Sequence, residues 1–179
     1  MALTLISTHT ASASATLDIT SGIDSTYDSY EFHCVNMHPA TDEVQFSFQV
    51  NASGQTGFNE TMTTTMFETF HNEGDGSTAL QYQAAYDQAQ GTGYQNILSR
   101  DIGNDNDQSV SGILTLYAPS STTYVKHFTS VGQGSYYNEY TMSNHVAGYI
   151  NTTAAIDEIS FKFTSGNIDA GTIKMFGVS

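Results

Sequence analysis

The chain has 179 residues, enough for one domain that buries roughly 70% of the surface its unfolded form exposes, with no metal or disulfide needed for folding. Eighteen acids face four bases (Arg100, Lys126, Lys162 and Lys174), a net charge of −14, and residues 1–99 hold no base at all. Nucleic acid and anionic bilayers are recognised largely through Lys and Arg, so this balance argues against both as partners; no run reaches the eighteen apolar residues of a membrane span, and the first twenty residues lack the basic n-region of a signal peptide.

In chain order, ALTLIS is the first strand candidate, with residues 1–12 an N-terminal arm or edge strand, followed by SATLDIT and YEFHCVN. The single cysteine, Cys34, shares a face with Tyr30 and Phe32 and reads as a small core residue rather than a reactive thiol. EVQFSFQV gives the clearest alternation: Val44, Phe46, Phe48 and Val50 point inward, and Glu43, Gln45, Ser47 and Gln49 face water. NETMTTTMFETFH and ALQYQAAYDQAQ fit helix or strand; the threonines and the alternation of Leu80, Tyr82, Ala84 and Tyr86 favour strand. SGILTLYA, TTYVKHFTSV and NEYTMSNHVAGYI follow. IDEISFKF then places Ile159, Phe161 and Phe163 inside with Ser160 and Lys162 outside, and AGTIKMFGV closes the chain.

About ten short strands with wet outer faces and no long helix predict an all-β fold, a single antiparallel β-sandwich of jelly-roll type. The nucleophile elbow, phosphate-cradling loop and His-Glu-x-x-His patterns are absent, and the histidines are scattered, so the chain is expected not to be an enzyme and to need no cofactor. Two loops carry chemistry of another kind. In SRDIGNDNDQS, Asp101, Asp105 and Asp107 offer the hard oxygens that calcium prefers, against the plainer reading of a solvated turn. In GQGSYYNEY, Tyr136, Tyr137 and Tyr140 beside Asn138 have the make-up of a ligand-binding loop that stacks sugar rings, against half-buried sheet packing.

MALTLIS, SGIDSTYDSYEF, NMHPATDEVQFSFQVN, GFNETMTTT, SSTTYVKHF and NTTAAIDEISFKFTSGNIDAGTIKMFGV together resemble small virion-associated structural proteins of marine tailed bacteriophages, of the cyanophage and pelagiphage type. The likeness spans almost the whole chain, and its most telling part is the closing strand, Ser-Gly-Asn-Ile turn and Gly-Thr-Ile-Lys strand. It implies a protein made in the host cytoplasm and exposed on the phage particle. The expected role is in the tail or fibre apparatus, as a homotrimer that contacts other virion proteins and attaches to a host-surface glycan or protein. A capsid decoration protein that cements the shell is the alternative, and a glycan-degrading depolymerase a third. The family brings no catalytic residues to carry over.

Overall fold

The computed structural model describes residues 2–179. Thirteen strands make up the regular structure: β1 (Leu3–Ser14), β2 (Leu17–Ile19), β3 (Ser29–Pro39), β4 (Phe46–Ala52), β5 (Met62–Asn72), β6 (Thr78–Tyr82), β7 (Ala89–Gly91), β8 (Gln95–Asn96), β9 (Val110–Tyr117), β10 (Lys126–Tyr136), β11 (Tyr140–Ile150), β12 (Ile156–Phe163) and β13 (Ile168–Val178). The described residues contain no helix, and so none long and apolar enough to cross a membrane.

All pairings between strands are antiparallel, in two sheets packed face to face. The larger runs β1-β13-β3-β9-β10-β11-β5-β6, with β7 also on β5; the smaller runs β2-β12-β4-β8. Four ladders join the first strands of the chain to later ones, β1 with β13, β2 with β12, β3 with β9 and β4 with β8, and successive ladders alternate between the sheets. Two excursions interrupt this scheme, β5–β7 and β10–β11, and both widen the larger sheet beyond β9. Residues 3–14 form an edge of that sheet.

The alternating phenylalanines fill the space between the layers. Phe46, Phe48, Phe161 and Phe163 are all at most 2% exposed. Phe161 stacks on Phe46 at 5.9 Å and meets Phe32 of the opposite sheet at 5.7 Å; Phe48 meets Phe128 of β10 edge-on at 4.9 Å. Each buried ring contributes roughly 2–3 kcal/mol through removal from water, with further gain from the edge-on geometry. Cys34 lies in this core, where burial pushes its thiol far above the ordinary value and keeps it protonated.

The structure departs from the expected pattern in three places. Ser47, Gln49 and Ser160, expected in water, are fully buried, because neighbouring chain folds over the outside of the smaller sheet. Gln49 Nε2 donates to the carbonyls of Glu60, Thr92 and Gly93 at 2.9–3.1 Å, and Ser47 Oγ donates to the Lys162 carbonyl at 3.0 Å. Ser160 accepts from the Tyr94 hydroxyl and donates to Asp18, while Lys162 Nζ sits 4.0 Å from the Tyr94 ring centroid. The second departure is in ALQYQAAYDQAQ: the strand ends at Tyr82 and the chain turns over 83–88, with Leu80 70% and Tyr82 56% exposed.

The third is Gly132 and Gly134, which belong to the inward face of β10 and not to a recognition loop. A Cβ on Gly132 would stand 2.4 Å from Leu98 Cα, and one on Gly134 2.7 Å from Ser99 Cβ. The missing side chains leave a channel in which the segment Ile97–Ser99 runs against the sheet, fully buried, with Leu98 in the left-handed region at φ 66°. This placement carries the next residue, Arg100, to the inner face of β5.

Candidate functional site

β10 and β11 meet at the directly paired Tyr136 and Tyr140, and the turn between them holds Tyr137, Asn138 and Glu139, the last in the left-handed conformation at φ 60°. The neighbouring β5–β6 hairpin turns over Glu73–Ser77, where Asn72 Oδ1 accepts from the amides of Gly76 and Ser77. The two tips are tied by the Glu73 amide donating to the Glu139 carbonyl at 3.0 Å. The loop from Asp101 to Ser109 forms a third wall, held by the Tyr137 amide on the Asp101 carbonyl and the Ser135 amide on the Ser109 carbonyl, both at 3.0 Å.

Between these walls lies a groove of about 530 Å³ lined by Tyr136 and Tyr140 on one side, Asp105, Asp107 and Gln108 on another, and His71, Glu73, Asp75 and Glu139 from the two tips. A smaller niche of about 180 Å³ adjoins it, with Arg100, Phe70 and Met142 beside Tyr136, Asn138 and Tyr140. The two loops singled out by composition are therefore walls of one cleft, although about thirty residues separate them in sequence.

Within it the aromatic rings also pack on one another. The Tyr136 centroid is 4.6 Å from that of Tyr137 and 5.4 Å from that of Tyr140, and Tyr140 meets Phe70 edge-on at 5.7 Å. All three tyrosines are half-buried, and Asn138 is exposed. Tyr137 lines neither depression; hydrogen bonding with the Tyr136 hydroxyl, reinforced by the charge of Glu43, pushes its phenol up to about 12.

Arg100, the single arginine of the chain, anchors the cleft from below. Its Nε and one terminal nitrogen donate to both oxygens of the fully buried Glu68 at 2.8 and 2.9 Å, and its other terminal nitrogen donates to Asp101. Gln81 and Gln83 complete the shell of Glu68 at 2.8 and 2.6 Å. The Arg100 guanidinium carbon lies 5.5 Å from the Tyr136 centroid and 5.9 Å from that of Tyr86. Burial opposes the Arg100 charge, but the two carboxylates outweigh it and hold its pKa above the ordinary value.

This arrangement sets Asp101 apart from the other two acids of its loop. Asp101 accepts from Arg100 and from Gln45 Nε2 at 2.6 Å, so its oxygens are committed to protein partners, and it does not line the groove with Asp105 and Asp107. Among the described residues, no three His, Cys, Asp or Glu side chains come together as a metal-ion site. Sequence reasoning passed over Arg100 and Glu68. Both carried a signal: the first base of the chain arrives only at position 100, and Glu68 falls in the same alternating phase as Met62 and Met66.

Five carboxylates and no lysine or arginine line the groove, so an anionic ligand is repelled there. Hydroxyl-rich neutral molecules and cationic surfaces fit it, through tyrosine rings and many hydrogen-bond acceptors. Compared with protein-family models, curated proteins and solved structures, the chain matches none of them.

Proposed function

We propose that this chain is an exposed structural protein of a tailed-phage particle, acting in the tail or fibre apparatus, that contacts a neutral host-surface glycan or a basic patch of a host-surface protein through the cleft at its hairpin end. The likeness of its sequence to virion-associated proteins supports the particle. The observation that carries the contact is the convergence of Tyr136 and Tyr140 with Asp105, Asp107 and Gln108 around one open groove, with Asn138 on the niche that adjoins it. We also read the strand order as a jelly roll: four antiparallel ladders, β1:β13, β2:β12, β3:β9 and β4:β8, wrapped so that they alternate between two sheets, with two insertions. Loops at one end of such a sandwich are where binding surfaces are built on a rigid frame. We take the protein to work as a homotrimer beside other virion proteins.

The test is adsorption of purified protein to host cells, together with labelling of intact particles to locate it. Tyr140→Ala and Asn138→Ala are expected to lower cell binding about tenfold or more while leaving the melting temperature of Asn138→Ala unchanged, since Asn138 is exposed. Undiminished binding by both variants overturns the cleft as the contact.

One observation favours capsid decoration as a second reading. The long edge strand β1 carries no charged residue and leaves Leu3 49% and Leu5 53% exposed, which suits addition to a strand of another virion protein. Label spread over the head instead of the tail selects that reading.

A further inference from the structure

We propose that the outward face of the larger sheet is a self-association surface on which a second copy of this chain packs. The inference deepens the reading that the chain assembles with itself, and rests on it, by naming the surface.

Acids stay off the middle of this face and flank it at its two ends, Glu31 of β3 beside His33 at 2.7 Å and Asp87 at the Tyr82 hydroxyl. The outward positions of β5, β6, β9, β10 and β11 carry no carboxylate, lysine or arginine; Glu68 and Lys126 of these strands both point inward and are fully buried. In place of charge the face presents large apolar side chains. Ile113 is 38%, Val131 48%, Phe67 43% and Tyr82 56% exposed. Cross-strand register sets them in one row: His33 opposes Ile113, Ile113 opposes Val131, Val131 opposes His145, His145 opposes Phe67 and Phe67 opposes Tyr82. His145 lies flat on Phe67, with ring centroids 4.8 Å apart and planes within 1°. A contiguous apolar stripe rimmed by Thr and Ser is the pattern of a covered surface rather than of scattered exposure.

Charge and size select the occupant. A basic partner would be drawn to the carboxylate-lined parts of the molecule and would gain little from an uncharged face. A second copy, with its own net charge of −14, is repelled by those parts and meets least opposition where neither molecule carries acids. Strands about 4.8 Å apart and about 3.3 Å per residue give the five strands β9, β10, β11, β5 and β6 a face of about 700 Å², nearly the area of a standard interface. A stable interface takes about 800 Å² from each partner. Many of the side chains on this face are threonine, valine and isoleucine, whose stiffness keeps the entropy lost on burial small.

Sedimentation velocity of the full chain at micromolar concentration tests the proposal, with Val131→Asp and Phe67→Asp on the face and Leu5→Asp on the β1 edge. The native chain is expected to sediment as an oligomer that tightens from low to high salt as self-repulsion is screened. Each face variant is expected to weaken association about 100-fold, whereas Leu5→Asp leaves it unchanged. The substituted side chains are part-exposed, so unchanged circular dichroism shows the variants folded, and either face variant that folds decides the outcome. An oligomer that survives the folded face variants, or one that Leu5→Asp alone dissociates, overturns this surface while leaving self-assembly standing. A native chain that stays monomeric overturns both.

Discussion

The interior of this protein has two halves filled in different ways. Where the smaller sheet faces β3, β9 and β13, the space is dry: Phe32, Phe46, Phe48, Phe161 and Phe163 interlock with Ile173 and Met175. Beneath β5 and β11, chain 83–101 lies against the sheet, and polar groups are buried among Met62, Met66, Val146 and Ile150. Glu68, Arg100, Gln81 and Gln83 share one network; Thr64 donates to Gln95 at 2.7 Å; Asn144, directly opposite Glu68 on β11, is fully buried and its side-chain amide has no hydrogen-bond partner among the described residues. The dry half holds the sandwich together. The polar half props up the cleft, because Arg100 and the 101–109 loop are delivered through it. Apolar packing tolerates small shifts of shape, whereas a buried ion pair is satisfied in one geometry, so stability sits in the first half and positioning in the second.

Substitutions should separate these roles. Phe48→Ala, which opens a cavity against Phe128, is expected to lower unfolding free energy by about 4 kcal/mol in urea titration, with the native cleft otherwise intact. Arg100→Met strands the buried Glu68 charge and should cost about 3 kcal/mol, and adding Glu68→Gln should restore most of it; failure of the double variant to recover would mean that packing, not charge, is what Arg100 supplies. Gly132→Ala drives a methyl into the Leu98 backbone and should cost about 2 kcal/mol and displace the 101–109 wall, visible as lost host-cell binding by folded protein.

The smallest effect is expected with pH. Burial, as the leading cause, raises the phenols of Tyr30 and Tyr94 in the sandwich and of Tyr86 in the 83–88 turn. A raised phenol keeps its proton in the folded chain after the unfolded chain has lost it at about pH 10, so the folded state binds more protons there and stability falls as pH climbs above about 10. Lys126, whose pKa burial lowers, works the other way and offsets part of the loss. Urea midpoints on either side of pH 10, repeated with Tyr30→Phe and Tyr86→Phe, assign the loss to one half or the other.

Much of the dry half was legible from residue order. Val44, Phe46, Phe48, Val50, Ile159, Phe161 and Phe163 all occupy the side their alternation assigns, and NETMTTTMFETFH resolves as the strand its threonines favour. The polar half was not. Its key contact joins residues 68 and 100, from a strand and a loop that no local pattern relates, and Gly132 and Gly134 suggest a recognition loop when only the proximity of Leu98 and Ser99 explains them.

Amino-acid order by itself determined an all-β molecule, the inward phenylalanines of its core and the acidic charge of the whole, because alternation and charge are local properties of the chain. Tertiary structure alone decided that Ser47, Gln49 and Ser160 are covered, that the tyrosine and aspartate loops share a cleft, that Asp101 serves Arg100, and that Phe67 and Val131 share an acid-free face. A period of two says which side of a strand a residue occupies; what lies against that side depends on chain folded in from elsewhere.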